Sequence, residues 1–420
     1  MKLASVAFLG AALTFIRMMA GFLVSKFVAV YAGPVGMAML GQLQSFVGIL
    51  NGLVVNQLSQ GVVRYSAENQ RLGLVACAEW WKAAVSIVVL MVSTIVPVTL
   101  IFNASLSAWL FDNDEYGWVI VTACLVLPLS AANSFSLSVL NGFGDNKKNI
   151  TTSMISIIVT LVVTALALYL YGVIGGLVIV SVTSAISGVI VLIRVKNEPW
   201  FKVKYWYGKV DYNKRKKLMG YVLVGVIGAI TGPTSVIFVR NIIIDVYSMG
   251  DAGIWQSTVR ISDAYVSICT LGVGMYFFPK AASINNDSEL KSTTFKVLSL
   301  LIPVSFVGLL IIYVFRDFII NILFTSVFLE ATELLKSRLI GDFFRIAAFI
   351  PASILLAKGY FKTNIAAEVL MNVSLVVGTS VFMGDIGLKT VNYVYTFNYI
   401  LYFVFSVAFF NYHCKKLRQV

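Results

Sequence analysis

Charge is scarce in this 420-residue chain. Lys, Arg, Asp and Glu make up 12% of it, about half the ~25% of an ordinary soluble domain. Histidine occurs once, as His413, beside Lys415 and Lys416. Metal sites want clustered ligands, so His413 reads as an interfacial residue. The four cysteines (Cys77, Cys124, Cys269, Cys414) form no C-x-x-C pair. That spacing indicates neither a disulfide framework nor a zinc site. No Walker A sequence occurs, and neither does a Ser-His-Asp or Cys-His constellation. An enzyme is therefore not expected, nor ATP hydrolysis by that route. No cofactor is implied.

What is abundant is apolar. Hydrophobic residues make up 59%, against about 45–50% in soluble domains, and mean hydropathy is +0.88. Roughly half of any globular surface must face water, so lipid is the natural solvent for this chain. A helix needs about 20 apolar residues to cross the hydrocarbon core. Twelve runs qualify: 4–30, 37–62, 76–101, 117–140, 150–171, 174–194, 218–244, 253–279, 293–314, 334–357, 362–383 and 390–412. None alternates as β-barrel strands do. The first run is longer than the apolar core of a signal peptide and reads as a span. The twelve-residue stretch 318–329 is too short to cross and reads as interfacial or re-entrant.

The net charge of +13 does not point to nucleic acid, because the basic residues lie mostly between spans. With a cytoplasmic N-terminus, 21 basic residues fall on the cytoplasmic side. At most four, Arg316, Lys336, Arg338 and Lys389, fall opposite. That is a strong positive-inside pattern, and it places both termini in the cytoplasm. The largest polar segment, 195–217, interleaves eight Lys/Arg with Trp200, Phe201, Tyr205, Trp206 and Tyr207. It suits a headgroup-level linker held against anionic lipid. It also divides the chain into an N-terminal half (1–194) and a C-terminal half (218–420), each with six spans. A Gly-x-x-Gly turn follows the first span of each half: Gly33-Pro34-Val35-Gly36 and Gly250-Asp251-Ala252-Gly253. Six is even, so the halves would be parallel repeats. The expected fold is an all-α integral membrane protein: about twelve transmembrane helices in two parallel-related six-helix bundles around a central cavity.

Charges inside spans are the informative ones, since each costs about 2.5–3.5 kcal/mol at the bilayer centre on insertion scales. They are Arg17, Lys26, Arg240, Arg260, Asp263, Asp342, Arg345 and Glu368, a surplus of two positive charges. Arg260 and Asp263 are three apart, as are Asp342 and Arg345, so each pair can neutralise itself on one helix. Lys26 and Arg240 lie near span ends and can snorkel. Glu368, six residues into its span, can be interfacial. Arg17 sits near mid-span and has no such explanation. Gln256, Arg260, Asp263 and Ser267 form one polar stripe at i, i+4, i+7, i+11, and Arg338, Asp342 and Arg345 form another. Lipid cannot solvate such stripes, so they face each other or water. A net-cationic, watered cavity suits an anionic cargo. Arginine's planar fork suits phosphate, and the carboxylates suit proton or sodium coupling.

The run Gly253-Ile254-Trp255-Gln256-Ser257-Thr258-Val259-Arg260-Ile261-Ser262-Asp263-Ala264-Tyr265 resembles bacterial Wzx-type flippases of lipid-linked oligosaccharides. Gly33–Gly36, Gly341-Asp342 and Ala367-Glu368-Val369 match more weakly. The resemblance implies the multidrug/oligosaccharidyl-lipid/polysaccharide exporter fold in the bacterial inner membrane. The implied cargo is an undecaprenyl-pyrophosphate-linked glycan (an O-antigen-type repeat unit), with other polysaccharide assembly proteins as partners. It implies Arg17, Lys26 and Arg240, joined by Arg260 and Arg345, as receivers of the pyrophosphate. Asp263, Asp342 and Glu368 become coupling carboxylates, and Gln256, Asn241 and Tyr265 glycan contacts. Arg260 departs from the family run, where a small polar residue stands, and it can neutralise Asp263. Two alternatives are a cation-coupled drug exporter of the same superfamily and a membrane polysaccharide polymerase. The first favours unpaired acids; the second needs a large outer loop. Neither feature is evident.

Overall fold

The computed structural model describes residues 3–273, 277–284 and 286–417. Among them ten helices are long and apolar enough to cross a membrane. The helices are α1 (Leu3–Tyr31), α2 (Gly33–Asn51), α3 (Gln57–Asn69), α4 (Leu74–Ile101), α5 (Asn103–Phe111), α6 (Gly117–Leu125), α7 (Leu127–Gly142), α8 (Asn146–Val195) and α9 (Val203–Trp206). There follow α10 (Tyr212–Val246), α11 (Met249–Gly272), α12 (Phe278–Ser283), α13 (Asp287–Val314), α14 (Arg316–Leu323), α15 (Ala331–Ala357), α16 (Phe361–Ile386) and α17 (Thr390–Leu417).

Two facts reconcile ten with twelve. At 1.5 Å per residue the 50 residues of α8 would run about 75 Å, more than twice the hydrocarbon thickness. The helix reverses at Gly172, whose φ of +56° and ψ of −136° only glycine adopts readily. Beyond the turn, side chains at Gly175 and Gly176 would strike Ala167 and Leu168. Far from the turn, the Arg194 guanidinium donates to the Thr151 hydroxyl at 3.3 Å. The two arms are therefore an antiparallel hairpin, making two crossings. The second fact is α11. Its 24 residues are long enough to cross, but Gln256, Arg260 and Asp263 lower its hydropathy. The short apolar stretch after α13 forms α14 and a single turn over Ser326–Phe328, too short to span.

The chain packs as two units, residues 1–32 with 39–237, and residues 33–38 with 238–420. In the first, the segment 195–217 is tied down by its aromatic residues. Trp206 stacks on Trp81 at 5.1 Å between ring centres, and Trp200 meets both. Trp81 in turn donates its indole N–H to Ser66 Oγ at 2.9 Å. Trp200 is buried, so these rings pack against the protein rather than against lipid; Tyr207 stays exposed. Ion pairs Lys148–Glu198 and Lys214–Glu79 fasten the segment further. Outward, Ile158, Val162, Leu166 and Leu170 of α8 are exposed, a stripe at helical spacing that only lipid would cover.

In the second unit α15 lies at the centre and packs against α11, α13 and α17. Gly341 allows the close fit to α17: a methyl group there would come within 2.5 Å of the Tyr395 ring. The two Gly-x-x-Gly turns meet here, since any side chain at Gly253 would collide with the Pro34 backbone. Gly33 also needs its positive φ of +60°. His413 is buried, with Nδ1 3.0 Å from the Tyr360 hydroxyl. Lys2 and Arg418 of the basic tails lie outside the described residues.

Candidate functional site

The polar stripes of α11 and α15 face each other. Ser262 and Asp342 meet across them, with Ser262 Oγ donating to Asp342 Oδ1 at 2.7 Å. From α17 the Tyr395 hydroxyl donates to the same oxygen, also at 2.7 Å. Arg345 Nη1 donates to Tyr395 Oη at 3.2 Å and to Asp263 Oδ1 at 2.8 Å. One continuous network thus joins Ser262, Asp342, Tyr395, Arg345 and Asp263. Asp342 is wholly buried, and its Oδ2 has no hydrogen-bond partner.

This arrangement corrects the self-pairing expectation. Asp263 is bonded not to Arg260 on its own helix but to Arg345 on α15. Asp342 accepts from two hydroxyls rather than from Arg345. Neighbouring helices can approach a stripe along its whole length, whereas an i, i+3 pair must bend toward itself.

The ion pair is open to solvent on one side. The Asp263 side chain is 52% exposed and that of Arg345 is 29% exposed. Arg345 is therefore accessible to another anion beside Asp263. Arg345 also lies 5.6 Å from the Tyr399 ring centre. Arg260 is half-buried, and its Nε has no hydrogen-bond partner.

Arg240, on α10, is buried and donates through Nε and Nη2 to Gln256 Oε1 at 3.0 and 2.8 Å. It does not reach the membrane edge as a snorkelling residue would. Tyr265 donates its hydroxyl to the Ser305 carbonyl at 2.7 Å on α13. Asn241 is half-buried on α10. Glu368 is half-buried on α16, with no ion pair among the described residues. Arg17 and Lys26 belong to the first unit, on α1. Arg17 is exposed and makes no hydrogen bond or ion pair among the described residues, whereas Lys26 is half-buried.

In the sequence Arg338 reads both as part of the α15 stripe and as an outer-side charge; it is buried on α15, its guanidinium 3.9 Å over the Tyr395 ring. Tyr395 and Tyr399 were absent from the candidate set. The signal that could have found them is the i, i+4, i+7 spacing of Tyr395, Tyr399 and Tyr402 along α17.

A multi-pass helical membrane protein whose ionic residues converge between helices has the architecture of a secondary transporter. Solved structures agree on the fold. An inward-facing multidrug-resistance MATE transporter of the MOP superfamily matches with TM-score 0.78 at 12% identity, covering 99% of each chain. A MOP-superfamily transporter from Pyrococcus furiosus, described as having a binding pocket of reverse polarity, matches with TM-score 0.61 at 12% identity, covering 100% of this chain and 96% of that one. Residues 81–333 match the polysaccharide biosynthesis protein family, and the chain belongs to it. Two relatives are called Lipid III flippase, from Escherichia coli and Shigella flexneri. Each is 27% identical over 415 residues, covering 96% of this chain and 97% of its own.

Proposed function

We propose that the chain is a flippase. It carries an undecaprenyl-pyrophosphate-linked oligosaccharide from the cytoplasmic to the periplasmic leaflet of the bacterial inner membrane, by alternating access of two six-helix halves. The observation that carries this reading is the end-to-end match to the Lipid III flippases. The chemistry of the polar residues supports it. Both termini are cytoplasmic in this reading, by the distribution of basic residues.

Arg17, Lys26, Arg240, Arg260 and Arg345 supply cations for the pyrophosphate. Arg345 has the clearest means of doing so. Its partner in the structure is a half-exposed carboxylate, Asp263. A pyrophosphate offers the guanidinium two oxygens at once and bidentate hydrogen bonds. Binding thus exchanges one anion for another and leaves Asp263 unpaired. The unpaired carboxylate can then take up a proton or sodium ion, which couples cargo to the ion gradient through Asp263, Asp342 and Glu368. Gln256, Asn241 and Tyr265 offer hydrogen bonds to the glycan. The polyprenyl tail stays in lipid, so no large apolar pocket is needed. Other polysaccharide assembly proteins receive the product.

Deleting the gene in its host tests this. The undecaprenyl-linked glycan should accumulate, and the inverted membranes should hold it in the cytoplasmic leaflet. Normal surface glycan with no accumulated lipid intermediate would remove the flippase reading.

A further inference from the structure

A second polar site lies at the open end of the α8 hairpin, wholly within the first unit and separate from the residues assigned to cargo. A cavity of about 360 Å³ is lined there by Asp145, Lys147, Lys148, Thr151 and Arg194. Three of the five residues are cationic. Lys148 is engaged by Glu198, and Asp145 is engaged in capping α8, accepting from the Lys148 backbone N–H at 3.1 Å. Lys147 and Arg194 are exposed, and neither forms an ion pair among the described residues. Arg194 donates only to the neutral Thr151 hydroxyl. With the Asp145 carboxylate counted and Lys148 offset by Glu198, the lining keeps a net charge of +1, with Lys147 and Arg194 the cations outside an ion pair among the described residues.

Its position identifies the ligand class. Lys147 and Lys148 directly precede the apolar run that starts at Ile150, and Arg194 directly follows the run ending at Ile193. The cavity is thus level with the lipid headgroups. From Thr151 an exposed apolar stripe descends α8 through Ile155, Ile158 and Val162, at i+4, i+7 and i+11. On the returning arm Val189 and Ile193 are exposed beneath Arg194. A phosphate headgroup in the cavity would have its acyl chains along these residues. Basic pockets at helix ends on the membrane surface recognise anionic headgroups in this way.

We infer that the Lys147–Arg194 cavity is a binding site for an anionic phospholipid, holding the headgroup phosphate between the two arms of the α8 hairpin. A free phosphate would meet the same cations but gain nothing from the apolar stripe. The test is native mass spectrometry of the full-length protein released from micelles supplemented with phosphatidylglycerol, phosphatidylcholine or inorganic phosphate. The wild-type chain should retain phosphatidylglycerol in preference to phosphatidylcholine, and equimolar inorganic phosphate should not displace it. The double substitution Lys147→Ala with Arg194→Ala should reduce the retained lipid by about tenfold or more, because each basic residue near the surface adds to the attraction for an anionic headgroup. The charge-keeping pair Lys147→Arg with Arg194→Lys should retain it, which separates lost binding from lost folding. Equal retention by the alanine variant, equal retention of the two lipids, or displacement by inorganic phosphate would each overturn the assignment.

Discussion

Replacing Arg17 with alanine is expected to stop surface glycan assembly while leaving the protein in the membrane at its normal level. Arg17 lies midway along α1, exposed and without a hydrogen bond or ion pair among the described residues. An isolated cation facing lipid at that depth would cost about 2.5–3.5 kcal/mol or more. The burden is removed if the guanidinium faces water and, in the working cycle, an anion. Losing one partner of a desolvated charge pair costs about 2–5 kcal/mol. That corresponds to at least a thirtyfold loss of transport, since about 1.4 kcal/mol is tenfold. Arg17 makes no hydrogen bond or ion pair among the described residues, so alanine breaks no such contact and the variant should fold as well as the parent. Arg17→Lys should recover part of the activity, because it keeps the charge but not the fork. Quantifying surface glycan alongside membrane-inserted protein checks this. Normal display by Arg17→Ala would take Arg17 out of the substrate path.

Asp342→Ala should do something different: it should loosen the second unit. Asp342 accepts from Ser262 and Tyr395 and is fully buried. It is also the carboxylate one helical turn from Arg338, itself buried over the Tyr395 ring. Alanine strands two hydroxyls, at about 1–3 kcal/mol each when buried, and leaves Arg338 to share the Asp263 carboxylate with Arg345. Removing one member of a buried ionic group typically destabilises by about 3–5 kcal/mol. The melting temperature of the detergent-purified protein should fall markedly. Asp342→Asn keeps an oxygen where Oδ1 stands, so its melting temperature should stay much closer to the parent's. If Asp342 also carries the coupling ion, the Asn variant will be folded but slow, and insensitive to the ion gradient. An Asp342→Ala protein that melts with the parent would refute the network as a stabilising element.

The crossings were readable from the sequence because lipid imposes a length and a polarity on every span. The turn at Gly172 is an example: the expected runs 150–171 and 174–194 flank the residue at which the backbone leaves helical geometry and reverses. The polar stripe of α11 was readable for the same reason, since a charge at helical spacing in an apolar run has few places to go. Partner choice was not readable. Asp263 and Arg260 share a helix face, but Arg345 wins because α15 brings a guanidinium within 2.8 Å. That approach depends on Gly341 and on the packing of α15 against α11 and α17, which periodicity on a single helix does not encode. Arg338 was legible as a member of the α15 stripe but was also counted among outer-side charges; the helix begins at Ala331 and carries it inside. Trp200 and Trp206 have the composition of headgroup residues, and only their stack with Trp81, more than 100 positions earlier in the chain, reveals them as core.

The central claim is that this chain moves a pyrophosphate-linked glycolipid between leaflets. The most direct measurement reconstitutes the purified chain in vesicles with a fluorescent polyprenyl-pyrophosphate oligosaccharide on one leaflet, and follows its appearance on the other. Transfer well above that of protein-free vesicles, and lost in Arg17→Ala, is the predicted result. Transfer no faster than in empty vesicles, or equally fast for a polyprenyl glycolipid that lacks phosphate, would contradict it.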